Sequence, residues 1–194
     1  LHAPFRLESG SHQNPMAPLA LRTGRWHKWR PMGTHPRSSR LPPMEGWIAA
    51  VALAVRVVFL GCFSLSPFFE PIPGGNDRSL YDSVAQAVAA GHGFPHGVFE
   101  YMPLYPWFLG ALYRLCGPNL YAAGLAGALL DSATVFLIVR LARRLSAPPL
   151  LAALAGLWYA LYPLAIAYSA VTMPNTLNAF LLTLFTLLLC RWWH

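Results

Sequence analysis

Four long apolar runs constrain this chain more than any other feature of its sequence. They cover about residues 47–65, 120–139, 150–168 and 176–190. A helix needs roughly 20 apolar residues to cross a bilayer core of about 30 Å, and each run approaches that length. We therefore predict an all-α fold, a polytopic transmembrane helical bundle.

The composition agrees with this prediction and excludes an ordinary soluble enzyme. Hydrophobic residues make up 56% of the chain and charged residues 11%, whereas about 25% of the residues in a soluble domain are charged. Residues 1–43 hold seven Lys or Arg residues and one acid, while residues 44–194 hold seven basic and six acidic residues. The net positive charge thus belongs to the N-terminal segment, and no nucleic acid is expected as a partner.

The N-terminal segment, residues 1–43, contains seven prolines and no apolar periodicity. Such a segment cannot bury enough surface to offset the entropy cost of ordering, so we predict that it is disordered. Because Met44 directly precedes the first apolar run, the segment is upstream sequence included in the translation, a cytoplasmic tail or a targeting peptide. The chain opens with Leu1 and stops at His194 directly after an apolar run. We therefore expect residues 44–194 to be the N-terminal part of a longer membrane domain.

Basic residues in the connections predict how the bundle is oriented. Arg140, Arg143 and Arg144 follow the second apolar run, and Arg191 follows the fourth. Since Lys and Arg are retained on the cytoplasmic side, these connections and the basic N-terminal segment are expected to face the cytoplasm. The loop of residues 66–118 then lies outside.

The outer loop of residues 66–118 is long enough to have structure of its own. Over residues 79–90 the apolar side chains recur on one helical face, and Ser79 with Asp82 fits a capping box. Residues 103–116 are rich in aromatic and aliphatic side chains and form a second helix-like stretch that is too short to span a membrane. We predict that the outer loop consists of amphipathic juxtamembrane helices.

Two charged residues interrupt the apolar runs, Arg56 in the first and Asp131 in the second. A charge inside a membrane span costs about 2.5–3.5 kcal/mol on insertion scales, and such a residue is a functional candidate by default. We predict that Arg56 and Asp131 pair between the first two spans. A substrate-binding role for Asp131 stays open beside this structural one.

The sequence patterns that indicate metal binding or residues at the membrane interface are weaker than those that indicate the spans. His92, His96 and Glu100 could be drawn as a metal site, but their spacing fits no motif, so the cofactor is unknown and a divalent metal is unsupported. Three cysteines without a CxxC motif indicate neither a disulfide framework nor a zinc site. Four tyrosines are interpreted as an aromatic belt at the membrane interface: Tyr105, Tyr113, Tyr162 and Tyr168.

An ordered series of short motifs resembles a known family. It consists of Asp77, Tyr81, Ala85, Gly91, Gly93 and Phe94, then the stretch 102–106 (Met-Pro-Leu-Tyr-Pro), then a helix that ends in Arg140, Arg143 and Arg144. In this order and spacing the chain resembles the N-terminal part of bacterial polytopic glycosyltransferases of the C-type superfamily. That group includes glycosyltransferase family 39, which is dolichyl-phosphate-mannose protein mannosyltransferase-like, and the lipid A aminoarabinose transferases. The resemblance covers about residues 47–190.

The resemblance implies transfer of a sugar from a polyprenyl-phosphate carrier to a lipid, glycan or protein acceptor on the outer face of the membrane. It implies that Asp77 is the catalytic base, which would take the proton of the attacking hydroxyl. Glu100 is implied to help bind the donor phosphate or a metal, and Arg78 can match phosphate oxygens in a bidentate way. The alternative for Asp77 is an N-terminal cap of the helix that begins near Ser79.

The sequence therefore predicts a multi-pass glycosyltransferase of the bacterial plasma (inner) membrane, which contacts membrane lipids and transfers a hexosyl or pentosyl group with inversion. We expect the chain to be inactive alone, because related enzymes are several hundred residues long. The alternative is a non-catalytic or transporter-like membrane protein, or a truncated inactive relative.

Cysteine labelling in intact cells tests the predicted orientation. In a background without Cys62, Cys116 and Cys190, we expect Ser83→Cys to react with a membrane-impermeant reagent and Ser146→Cys to be protected. Reaction of Ser146→Cys after the cells are permeabilised is the control for accessibility. Labelling at position 146 but not at position 83 in intact cells would reverse the topology.

Overall fold

A computed structural model of the chain describes residues 44–72, 76–94 and 102–193. Throughout these residues the secondary structure is helical, which confirms the all-α prediction. The helices are α1 (Met44–Ser64), α2 (Asp77–Ala89), α3 (Leu104–Cys116), α4 (Leu120–Arg144), α5 (Pro149–Ala160), α6 (Pro163–Ala170) and α7 (Asn175–Trp193). The predicted disorder of residues 1–43 concerns a segment outside the described residues.

Three of these helices, α1, α4 and α7, are long and apolar enough to cross a membrane. The predicted continuous span over residues 150–168 is instead two helices, α5 and α6, bent by 52° at the break between them. Pro163 begins α6, and it has no N–H to continue the hydrogen-bond ladder of α5. The described helices therefore provide three candidate membrane spans, or four if the bent pair of α5 and α6 crosses the membrane as one span.

The bundle is organised around α4, the most buried of the three long helices. It packs against α1, α5, α6 and α7. Small residues allow this close packing, because a Cβ at Gly127 would overlap the carbonyl oxygen of Ser169 in α6, and a Cβ at Gly124 would overlap the side chain of Leu60 in α1. By contrast, α7 exposes most of its apolar side chains, as expected of a helix that faces lipid.

Helices α2 and α3 confirm the two predicted helices of the outer loop and pack against each other. The helix α2 begins two residues earlier than the sequence pattern predicts, because Asn76 caps it: the Asn76 side chain accepts from the backbone N–H of Ser79 at 3.0 Å. The predicted capping box of Ser79 and Asp82 is therefore wrong. The Asp82 carboxylate instead accepts from Gln86 at 2.8 Å.

Two of the four tyrosines predicted for an interfacial belt are core residues of the α2–α3 pair. Tyr105 and Tyr113 are 7% and 3% exposed, and the ring of Tyr105 meets that of Tyr81 edge to face at 5.4 Å between centroids. Gly110 brings the two helices close, since a Cβ there would press on Val88. The remaining two, Tyr162 and Tyr168, are exposed.

Two of the three basic stretches predicted to share one side, the end of α4 and the end of α7, meet at one end of the bundle. The third, residues 1–43, lies outside the described residues. Arg143 at the end of α4 forms an ion pair with Glu45 in the first turn of α1, at 3.0 Å. The Nε of Arg144 donates to the carbonyl of Cys190 near the end of α7, at 3.3 Å. We call this the basic end. The α2–α3 pair and the α6–α7 connection lie at the other end, which we call the outer end.

The predicted pair of Arg56 and Asp131 is confirmed. The two side chains are 0% and 1% exposed and form an ion pair between α1 and α4, with Nε of Arg56 donating to Asp131. Nη1 of Arg56 donates to the carbonyls of Ala52 at 3.1 Å and Ala160 at 3.0 Å. The Tyr159 hydroxyl donates to the second oxygen of Asp131 at 2.8 Å. The buried charges are thus satisfied by α1, α4 and the end of α5.

A double-mutant cycle tests the energetic coupling of this pair. Removing one partner leaves an uncompensated buried charge, so we expect Arg56→Leu and Asp131→Leu each to lower the free energy of unfolding by about 3–5 kcal/mol. The double variant should lose less than the sum, because neither charge is left alone. Stability is measured by thermal unfolding in detergent, with Arg114→Leu at an exposed position as the control. Additive losses would contradict the coupling.

Candidate functional site

An open cavity of about 400 Å³ lies at the outer end, where the start of α2 faces the α6–α7 connection. Its lining residues are Asn76, Asp77, Arg78, Tyr168, Val171 and Met173. Two of the four predicted site residues, Asp77 and Arg78, therefore border one cavity. Because the cavity also includes Tyr168 of α6 and Met173, it joins parts of the chain that are about 100 residues apart.

Asp77 is the first residue of α2 and its side chain is exposed. The capping role considered for Asp77 is wrong, because the preceding residue, Asn76, is the cap. In the first turn the negative charge of Asp77 meets the positive end of the helix dipole, which favours a carboxylate at this position. Among the described residues the structure gives the Asp77 side chain no hydrogen bond or ion pair. It is therefore free to bind a group in the cavity.

Arg78 is 9% exposed and is held by three hydrogen bonds to two other segments of the chain. Its Nη1 donates to the carbonyl of Phe68 at 2.8 Å, and its Nη2 donates to that of Phe69. Its Nε donates to the hydroxyl of Thr172 at 3.3 Å. Burial lowers the pKa of Arg78, an effect that the nearby Asp82 carboxylate opposes, and a guanidinium stays charged in proteins. Arg78 thus fastens the start of α2 to the chain after α1 and to the α6–α7 connection.

A second contact fixes the α2–α3 pair from within. The Tyr113 hydroxyl of α3 donates to Asp82 of α2 at 2.5 Å. Burial and this hydrogen bond raise the pKa of Tyr113, so the hydroxyl keeps its proton across the physiological range. Asp82 therefore has Tyr113 and Gln86 as partners, whereas Asp77 has no partner in the part of the chain that the structure describes. The structure thereby distinguishes two acids that lie one helical turn and a half apart.

A smaller cavity of about 220 Å³ lies next to the first, and Tyr168 lines both. Its polar lining residues are Asp131, Tyr159, Tyr162, Tyr168, Asn175 and Thr176. Thr176 is 6% exposed and its hydroxyl has no hydrogen-bond partner among the described residues. The sequence did not identify Tyr159, Tyr168 or Thr176 as site residues. Each lies in an apolar run whose pattern marks a span and carries no signal for a polar contact.

The remaining predicted residues divide between described and undescribed parts of the chain. Glu100 and His96 lie outside the described residues, so the phosphate-binding role of Glu100 stays a prediction. Asp131 lines the smaller cavity and its pairing is settled, while its substrate-binding role also stays a prediction. His92 is exposed. Across residues 44–72, 76–94 and 102–193 no three His, Cys, Asp or Glu side chains come together as metal ligands.

Comparisons of the chain with protein-family models, with curated proteins and with solved structures found no match. The resemblance to C-type glycosyltransferases therefore rests on the motifs of the chain itself.

The structure predicts that Arg78 is needed to hold the outer end together. Arg78→Met should lower the free energy of unfolding by about 2 kcal/mol or more, because it leaves the part-buried carbonyls of Phe68 and Phe69 without their donor. Amide hydrogen exchange should speed up at residues 171–173 and at the start of α2, with little change in α4 near Asp131. The control is Arg114→Met, which replaces an exposed arginine of α3. Equal exchange in both variants would show that Arg78 is not a clamp.

Proposed function

We propose that this chain is the N-terminal part of an integral membrane glycosyltransferase of the bacterial plasma membrane. The enzyme moves a hexosyl or pentosyl group from a polyprenyl-phosphate donor to a lipid, glycan or protein acceptor at the outer face. The observation that carries the proposal is the exposed carboxylate of Asp77, which has no hydrogen-bond partner among the described residues and borders an open cavity at one end of an apolar helical bundle.

Asp77 acts as the general base in the proposed reaction. The acceptor hydroxyl attacks the anomeric carbon while its proton passes to the Asp77 carboxylate. The bond between the anomeric carbon and the phosphate oxygen breaks, and its electron pair leaves with the polyprenyl phosphate. This single displacement inverts the anomeric centre. The position of Asp77 in the first turn of α2 supports the role, since a short side chain on a capped helix is well oriented.

Arg78 is a positioning residue in this proposal. Three hydrogen bonds to Phe68, Phe69 and Thr172 fix its guanidinium, and the ring of Phe63 lies 5.8 Å below it. A guanidinium has five N–H groups, so two remain for phosphate oxygens of a bound donor. Arg78 therefore orients α2, and with it Asp77, while its positive charge stays beside the cavity and favours an anionic leaving group.

The outer end also suits a donor that arrives from the bilayer. Large apolar side chains are exposed at the start of α3, where Leu104 and Trp107 are 56% and 55% exposed. An amphipathic helix with such an exposed apolar face lies in the membrane interface. The lipid tail of a polyprenyl-phosphate donor would then remain in the bilayer while its phosphate reaches the cavity.

The alternative function is a transporter-like membrane protein without transferase activity. It is favoured by one observation, the buried Asp131 that lines the smaller cavity inside the bundle. Intramembrane acids of this kind mark substrate or ion pathways. Because Asp131 already accepts hydrogen bonds from Arg56 and Tyr159, whereas Asp77 accepts none from described residues, the transferase function is the better supported of the two.

Substitution of Asp77 in the full-length enzyme tests the proposal. Asp77→Asn keeps the size of the side chain and removes the proton acceptor, so sugar transfer should fall by about 10²–10⁴-fold. The assay follows transfer from a polyprenyl-phosphate donor in membranes, normalised to folded protein. Glu70→Gln is the matched control, because Glu70 is another exposed acid of the outer loop. A wild-type rate for Asp77→Asn would exclude Asp77 as the base and make Glu100 the next candidate.

A further inference from the structure

A cleft of about 620 Å³ at the basic end gathers four arginines around one acid. Its lining residues are Glu45, Arg140, Arg143, Arg144, Leu187 and Arg191. They come from α1, α4 and α7, so the cleft exists only when the three long helices are packed together. The volume lies in the range of sites that hold small molecules, about 300–1,000 Å³.

The charge of the cleft is not balanced by protein groups of the described residues. Four guanidinium groups face one carboxylate, and that carboxylate, Glu45, is already paired with Arg143 at 3.0 Å. The ends of α4 and α7 each add about half a negative charge and the start of α1 adds about half a positive one. These helix-end charges offset only a small part of the excess of three positive charges. An anion is therefore needed to neutralise the cleft.

Three of the four arginines, Arg140, Arg143 and Arg144, are held by protein contacts yet keep donors for such an anion. The guanidinium of Arg140 stacks over Phe136 at 5.4 Å, and the Nε of Arg144 is fixed by the Cys190 carbonyl. A guanidinium has five N–H groups in a planar fork that matches phosphate oxygens. In the described part of the chain neither Arg140 nor Arg191 forms an ion pair. Both are available to bind phosphate.

We propose that this cleft binds a phosphate group, and that its source is the headgroup of an anionic phospholipid. The cleft lies where α4 and α7 end, and both helices are long and apolar enough to cross a bilayer. The exposed Trp192 and Trp193 follow Arg191 directly, and tryptophan is enriched at the level of lipid headgroups. Leu187 lines the cleft and adjoins the exposed apolar face of α7. An acyl chain can lie along that face.

The site lies at the opposite end of the bundle from Asp77, so the inference does not depend on sugar transfer. Its consequence is that the lipid phosphate ties the end of α4 to the end of α7. Among the described residues, the Arg144 bond to the Cys190 carbonyl is the one hydrogen bond between the end of α4 and the end of α7, which are otherwise in packing contact. Anionic lipid should therefore stabilise the bundle as well as bind to it.

Lipid titration of the purified full chain in neutral detergent tests the proposal. Phosphatidylglycerol, phosphatidylcholine and inorganic phosphate are added separately, and bound lipid is counted by native mass spectrometry while thermal unfolding is followed in parallel. We expect phosphatidylglycerol to bind more tightly than phosphatidylcholine and to raise the unfolding temperature. In Arg140→Gln/Arg191→Gln the phosphatidylglycerol affinity should fall by about 25-fold, since each arginine near an anionic lipid contributes about fivefold.

The matched control is Arg114→Gln, which removes an exposed arginine outside the cleft and should leave the lipid affinity unchanged. Inorganic phosphate that protects as well as phosphatidylglycerol would support the phosphate site with a soluble source. Equal affinity for both lipids without protection by phosphate, or an equal loss in Arg114→Gln, would overturn the proposal. If the double variant does not fold, the lipid preference of the wild-type protein is measured at low and at high salt instead. A phosphatidylglycerol preference that persists unchanged in high salt would overturn it.

Discussion

The buried ion pair of Arg56 and Asp131 is the interaction on which the rest of the bundle depends. Two charges taken out of water cost several kcal/mol each, and their attraction repays that cost only when further hydrogen bonds satisfy them. Here the further partners are the Ala52 carbonyl, the Ala160 carbonyl and the Tyr159 hydroxyl. Because the last carbonyls of a helix lack partners within that helix, the end of α5 is suited to accept from Arg56. The pair therefore holds the end of α5 against the contact between α1 and α4.

The outer end follows from this arrangement. Once α5 stops beside Arg56, α6 turns away by 52° and brings Tyr168 and Thr172 towards α2. Arg78 then connects Thr172 with the carbonyls after α1, which places Asp77 at the edge of a cavity. A carboxylate at the start of a capped helix gains from the helix dipole and stays accessible. The proposed base is thus positioned by contacts that begin in the centre of the bundle.

The two ends of the bundle differ in how they carry charge. At the outer end the cation Arg78 is buried and held by three hydrogen bonds, while the acid Asp77 has no hydrogen-bond partner among the described residues. At the basic end the acid Glu45 is paired, and arginines are in excess. A free carboxylate suits proton transfer, whereas excess guanidinium groups suit phosphate binding. The same bundle thereby supports sugar transfer at one surface and lipid anchoring at the other, as we propose.

The sequence by itself determined the all-α fold, three of the four predicted spans as long apolar helices, the existence of α2 and α3, and the partnership of Arg56 with Asp131. Apolar length and helical periodicity are local properties, and a lone charge in a span requires a partner of opposite sign. The cap of α2, Asn76, could also have been predicted from the local sequence. The capping-box pattern that starts three residues later, at Ser79, indicated a later helix start instead.

Only the tertiary structure decided which side chains complete each site. Tyr159 reaches Asp131 across 28 residues and Arg78 reaches Thr172 across 94. Tyr105 and Tyr113, which suit an interface by residue type, are buried because Gly110 lets α3 approach α2. Contacts between residues that are far apart in the sequence produce no periodic pattern of residue types. They depend on how helices cross and where they break, and packing sets both.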